Sequence, residues 1–323
     1  MLCVPYCHIT FTLPHDLNGL ARSHPRAIYN LLFSSAWQSI KQLCAAVENV
    51  GGKPGMTAVL HTWGSDLKYH VHVHCLVTFG GLQMKPQLEW KWPKLKKKLA
   101  RYRKMCGLYR AIFLKGLKRL MAKGTVVYHR PFAHIEAEMK KKRWVVHNTL
   151  PTADTKVIEE YLGRYICRIG ITNKRLHYDP NGKNVRIEYN DYKRQQTGKA
   201  APKKYRYLPP LIAMHAFLQH QTPRHFQRVR HYGLHAGIVY AKIKDQLPSQ
   251  VKRNGQTVRT VFQILRALLL KQPHRCEHCG SDEFEYEIVQ SDRTYLATHV
   301  LHQGRSPPSV QADKANTVKE AVS

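Results

Sequence analysis

The sequence predicts an α+β protein with a mainly helical C-terminal region. Three observations support this. Strand-like alternation marks residues 6–13, 56–63 and 69–79. Helical spacing of apolar residues marks two longer stretches, 26–50 and 94–123. Helical candidates then recur at 208–219, 226–232, 234–244 and 257–270.

Residues 6–13 alternate and stop at Pro14, as a strand does. Residues 26–50 put Ile28, Leu31, Leu32, Ser35, Ile40, Leu43, Cys44 and Val47 on one helix face, and the run from Gly51 to Gly55 ends that helix. Residues 56–63 form a second strand, and Gly64-Ser65-Asp66 turns the chain into a third. Residues 94–123 have two faces. Leu95, Leu99, Tyr102, Cys106, Tyr109, Phe113, Leu117 and Leu120 are apolar. Lys96, Lys97, Arg101, Arg103, Lys104, Arg110, Lys115, Lys118 and Arg119 lie opposite. A solvated face usually mixes both signs, and this one has no acid between Trp90 and Ala122, which favours phosphate contact. A short strand is expected at 144–147 and a helix at 152–169, capped by Thr152 or Asp154. The turn Asp179-Pro180-Asn181-Gly182 and the alternating residues 185–189 read as a hairpin. The polar stretch 306–323 reads as disordered.

Lys and Arg number 52 against 21 Asp and Glu, a formal net charge of +31 in 323 residues. Such an excess points to a polyanion, nucleic acid before a membrane surface. No apolar run is long enough to span a bilayer, and the N-terminus lacks the pattern of a signal peptide, so a cytoplasmic protein is expected. The cysteines agree: they are dispersed, apart from Cys276 and Cys279. That pair has the spacing of half a zinc site, with His274 and His278 nearby, or of a reduced turn pair.

The third strand holds the least ordinary chemistry. Its alternation puts His70, His72 and His74 on one face and Val71, Val73 and Cys75 on the other. Three imidazoles on a rigid strand suit a metal better than a core, although each could be a structural histidine satisfied by neighbours. His72 and His74 are the expected pair, and His61 across an antiparallel turn competes with His70 for the third place. Downstream, Tyr161 and Tyr165 sit one turn apart on the expected helix, with Arg164 and Arg168 placed to clamp a phosphate. A tyrosyl oxygen is a competent nucleophile toward a polarised phosphate.

His72-Val73-His74 resembles the HUH motif (histidine, bulky hydrophobic residue, histidine), and Tyr161 with Tyr165 resembles its paired tyrosines. The wording of Phe11-Thr12-Leu13-Pro14, Leu60-His61-Thr62-Trp63-Gly64, Asn173-Lys174-Arg175-Leu176 and Arg230-His231-Tyr232-Gly233-Leu234 extends the likeness. Across roughly residues 5–279 the chain resembles the two-tyrosine rolling-circle transposases of the insertion-sequence-ninety-one type. The resemblance implies a central antiparallel sheet flanked by helices, with the HUH motif on a central strand. It implies a magnesium or manganese ion at His72, His74 and His61, and attack by Tyr161 and Tyr165 on single-stranded DNA at transposon ends. The product would be a 5′-phosphotyrosine and a free 3′-hydroxyl. Unwinding and synthesis would fall to the host replication machinery. Arg164, Arg168, Lys96, Lys97 and Arg101 are the expected DNA contacts. The implied organisation is a catalytic domain over 1–195, a basic, mainly helical region over 196–290 and a disordered tail over 291–323. The family's cysteine-rich zinc module before the first strand is expected to be missing, since only Cys3 and Cys7 stand there. A plasmid replication initiator or relaxase of the HUH class would share this chemistry. A basic nucleic-acid-binding protein without catalysis would share only the charge.

Overall fold

The computed structural model describes residues 2–84, 86–154, 157–158, 163, 170–178, 183–191, 194, 199–252, 285–290 and 296–301. Tyr161, Tyr165, Arg164, Arg168, the 179–182 turn, the 257–270 helical candidate, the Cys276/Cys279 pair and the 306–323 tail lie outside the described residues. The chain divides into two units, Met1–Gln256 and Thr257–Ser323.

In chain order the strands of the first unit are β1 (Tyr6–Thr12), β2 (Gly55–Trp63), β3 (Tyr69–Thr78), β4 (Gly81–Gln83), β5 (Glu89–Lys91), β6 (Val146–Asn148), β7 (Leu176–Tyr178), β8 (Val185–Asn190), β9 (Lys203–Leu208) and β10 (Val229–Gly233). The helices are α1 (Asn18–Ser23), α2 (Pro25–Ala45), α3 (Tyr102–Ala122), α4 (Phe132–Lys141), α5 (Pro210–Leu218) and α6 (Gly237–Ile243). In the second unit β11 (Glu285–Gln290) pairs antiparallel with β12 (Leu296–Leu301).

The central sheet has the order β10-β2-β3-β1-β6, and every neighbouring pair is antiparallel. The histidine strand β3 is therefore its middle strand, as expected. Alternation divides the sheet into two faces. One face carries Ile9 and Phe11 of β1, Ala58 and Leu60 of β2, and Val71, Val73, Cys75 and Val77 of β3. These pack under α2 and α3 with Ile28, Leu32, Phe33, Ile40, Tyr109, Phe113 and Leu117. Full burial of each such aliphatic or aromatic side chain is worth roughly 1.5–3 kcal/mol, so this layer fixes which side of β3 faces inward. The opposite face carries Tyr6, His8 and Thr10 of β1, Val59 and His61 of β2, and His72, His74 and Leu76 of β3. At one end it is covered by a second cluster in which Tyr6, Leu76, Ile158, Leu234 and Ile243 are buried together.

Helix α2 begins with Pro25 at its first turn, where a missing N–H costs nothing. It ends at Ala45, and Val47 is exposed rather than on the buried face. Helix α3 begins at Tyr102, eight residues later than the pattern predicts. Lys96, Lys97 and Lys98 are exposed in the irregular stretch before it, and Arg101 is its N-cap. The reason is electrostatic. Consecutive lysines with no acid repel one another and oppose the positive end of a helix dipole. Lys96, Lys97 and Arg101 thus do not extend the basic helix face.

The stretch 226–232, expected as helix, is instead the edge strand β10, paired to β2 with Val229 opposite Val59 and Gly233 opposite Gly55. The hairpin at 185–189 gains a partner on its other side: β7-β8-β9 is an antiparallel three-stranded sheet. It buries Val185 and Ile187 with Leu67, Ile171 and Ala213.

Candidate metal centre

His61, His72 and His74 are brought together by register. His61 is the direct partner of His72 across β2 and β3, and Thr10 of β1 is the direct partner of His74. The three imidazoles each offer a nitrogen within 4.8 Å of the other two, and all three side chains are buried. The third position, left open between His61 and His70 by alternation alone, goes geometrically to His61. A bulge explains why. His61 pairs with His72 but Trp63 pairs with Tyr69, so His70 and Val71 together oppose the single residue Thr62. The His70 ring stacks on His15 at 5.0 Å instead, and its carbonyl oxygen lies 2.8 Å from His72 Nδ1.

That contact sets a tautomer. A carbonyl oxygen only accepts, so His72 Nδ1 carries the proton and donates it, which leaves the Nε2 lone pair bare. The bare Nε2 points at His74 Nε2, 2.9 Å away. Behind His74, its Nδ1 is 2.9 Å from His8 Nε2 and 3.2 Å from Thr10 Oγ1, and Thr10 Oγ1 is 2.9 Å from His8 Nε2. His74 can therefore place a proton on Nδ1, held by His8 or Thr10, and present its own Nε2 lone pair. A set of imidazoles oriented by such outer partners fits a divalent transition ion.

Burial favours the uncharged form of His8, His72 and His74. It is the main cause that sets His72 and His74 well below the usual histidine range, with neighbouring histidines adding to it. His8 is lowered to about 3, first by burial and then by His147 and His61. Neutral imidazole is the ligating form, so at pH 7 a cation meets little proton competition at His72 and His74.

Aromatic packing steadies the third member. The His61 ring stacks on Trp63 at 4.7 Å and 17° and meets His74 edge-on at 4.7 Å. Arg228, which the sequence reading did not single out, lies over the same indole: its guanidinium carbon is 5.3 Å from the Trp63 ring centroid. No local pattern could have marked it, because the contact joins residues far apart in the chain.

The described residues on either side of the two expected tyrosines contact the central sheet or its loops. Thr152 bridges Tyr6 through two backbone hydrogen bonds, of 2.7 and 2.8 Å. Ile158, in the first helical residues, is buried with Tyr6 and Leu76, and Leu76 follows His74 on the same side of β3. A Cβ added at Gly170 would come 3.3 Å from Trp63 and Leu67, beyond the opposite end of the triad, and Ile171 is buried with Leu67. The described ends therefore bracket His61, His72 and His74.

A protein family described as "Putative transposase" matches residues 55–242, more than half of the chain. The chain is 29% identical over 246 residues to "Putative transposase y4qJ" of Sinorhizobium fredii, covering 72% of this chain and 59% of that protein. It is 29% identical over 289 residues to "Transposase for insertion sequence element IS801" of Pseudomonas savastanoi pv. phaseolicola, covering 86% of this chain and 66% of that protein. It thus spans less than two thirds of each of these relatives. No solved structure matches it significantly. No helix among the described residues is long and apolar enough to cross a membrane.

Proposed function

Since the chain belongs to the transposase family matched over residues 55–242, we propose that it nicks single-stranded DNA at the ends of its own element through a tyrosine nucleophile. The observation that carries this reading is the buried cluster of His61, His72 and His74 on the middle strand of the sheet. Tyr161 or Tyr165 supplies the attacking oxygen. The Oη–P bond forms as the P–O3′ bond breaks. The tyrosine gives up its proton, and the departing 3′-oxygen gains one. The product is a 5′-phosphotyrosine with a free 3′-hydroxyl, and the second tyrosine allows a second cleavage before the first end is released. Support for bringing this pair to the histidines comes from the described ends of their segment, Ile158 and Gly170, on either side of the cluster.

His61, His72 and His74 would hold the divalent ion, which when bound draws charge from the scissile phosphate. Three imidazoles with no carboxylate in the group suit manganese better than magnesium, whose preference is for oxygen. Arg164 and Arg168 are assigned to phosphate contact, with Lys96, Lys97 and Arg101 as more distant contacts on the DNA. Host proteins would unwind and copy the strand. A Cys276/Cys279 zinc site is a separate and lesser part of the proposal.

The test is covalent capture. The protein is incubated with end-derived single-stranded DNA and manganese and run on denaturing gels. A metal-dependent adduct is expected that disappears in the Tyr161→Phe, Tyr165→Phe double variant. DNA binding with no adduct on any end sequence would favour a non-catalytic binding protein. An adduct that survives the double substitution would remove these tyrosines from the mechanism.

A further inference from the structure

Arg228 directly precedes β10, and its carbonyl oxygen accepts a hydrogen bond from the Leu60 N–H of β2 at 2.9 Å. That bond fixes its backbone beside the part of β2 that carries His61 and Trp63. Its guanidinium lies over the Trp63 ring, which is itself stacked on His61. One indole therefore links the guanidinium to the candidate metal centre.

Two other arginines near this end of the sheet, Arg230 and Arg22, each have a side-chain donor hydrogen-bonded within the protein. Arg230, two residues on, donates to Asn30 Oδ1 at 2.6 Å and lies over Phe33 and Phe226. Arg22 donates to Gln219 Oε1 at 3.0 Å and lies over Tyr69. Arg228 differs. Its Nη2 is buried without a hydrogen-bond partner, and no carboxylate pairs with it among the described residues. A guanidinium keeps its charge even when buried, so an unmet donor on it is a standing cost. Packing on the Trp63 ring covers the flat face of the guanidinium but not the N–H groups at its edge. The residue as a whole is only half-buried, so an anion can approach the accessible part of its planar fork and offset the charge that the fold leaves unpaired.

We propose that Arg228 is a phosphate-binding residue that holds a DNA phosphodiester beside the one cut at the metal centre. The proposal rests on reading the histidine cluster as a DNA-cleaving site. In that arrangement Trp63 keeps the guanidinium at a set distance from His61, so the strand is gripped next to the point of attack. This positions the substrate; it does not place Arg228 among the groups that make or break bonds.

The experiment measures binding of the full chain to a mixed-sequence single-stranded oligonucleotide over a range of salt, for the wild type, Arg228→Gln, Arg228→Lys and Arg230→Gln. Arg228→Gln is expected to weaken binding about tenfold or more and to lower the salt slope by about 0.7, the value for one lost contact on a single strand. Arg228→Lys should keep the slope with reduced affinity. Arg230→Gln should lower the melting temperature and leave the slope unchanged. A second arm replaces single phosphates by neutral methylphosphonates. One position should weaken wild-type binding and have no further effect on Arg228→Gln. An unchanged slope in Arg228→Gln, or a methylphosphonate penalty that persists at every position in that variant, would overturn the proposal, whatever happens to stability. Competition by inorganic phosphate with no sensitivity to any methylphosphonate would also overturn it, because the site would then take free phosphate rather than DNA. Adduct formation is scored separately: slope loss without an adduct in any protein would leave the phosphate site standing and remove the cleavage reading.

Discussion

At the scale of single residues, the histidines His8, His72 and His74 titrate abnormally because they are buried beside one another. Each has its folded value pushed below the unfolded one, so the unfolded chain binds protons that the folded chain refuses. The stability they contribute is fully present above about pH 6.5 and is lost as pH falls toward their folded values, by about 1.4 kcal/mol per pH unit for each ring. The metal-free protein should therefore lose urea resistance steadily from about pH 6.5 down to pH 4. The same neutrality predicts that manganese affinity, measured by calorimetry, changes little between about pH 6.5 and 8. At a concentration about a hundredfold above its dissociation constant, manganese should add roughly 2.7 kcal/mol of stability. That gain should vanish in His72→Ala. Equal stabilisation of His72→Ala would place the ion elsewhere.

At the scale of elements, β10 is the strand on which the arrangement around Arg228 depends, and Gly233 is its weak point. Gly233 sits at a φ of 59°, and a Cβ there would come 2.0 Å from the Pro54 carbonyl oxygen and 2.6 Å from the Trp37 ring. The backbone oxygen cannot move aside. Gly233→Ala should cost about 3 kcal/mol, read as a lower urea midpoint, and should loosen the β10 edge first in hydrogen exchange. The sequence shows β1, β2 and β3 plainly because each alternates against a dry layer. It shows the bodies of α2 and α3 for the same reason. It hides β10, which is a five-residue edge with mostly half-buried side chains. Apolar residues spaced at 226, 229 and 232 imitate a helical turn, and only the pairing with β2 makes them a strand. The choice of His61 over His70 was likewise half legible. Alternation offers both, and the bulge opposite Thr62 decides between them.

At the scale of the molecule, charge is distributed without regard to the fold's own stability. Helix α3 has no acid in its first turn, and its N-cap is Arg101. Lys104 reaches Glu48 at 2.8 Å, an exposed pair of little energetic weight. With a formal charge of +31, binding to single-stranded DNA should weaken by about a hundredfold or more between roughly 50 and 200 mM salt, through the release of condensed counterions. A salt-insensitive affinity would show that the excess charge serves something other than the phosphate backbone. This scale was the most legible in the sequence, because net charge needs no geometry. The position of single contacts was the least: Lys96 and Lys97 stand ahead of α3 rather than on it.

Strand β3 has a further consequence for how such a gene can change. Its positions 72 and 74 face the candidate centre, and its odd-numbered positions from 71 to 77 close the core. The two sets are interleaved one residue apart. Deleting or inserting a single residue within β3 exchanges them, turning imidazoles into the dry layer and valines toward the centre. In a library of in-frame one-codon insertions and deletions, β3 should emerge as the least tolerant segment of the first unit. Loss of fold and loss of activity should there be the same event.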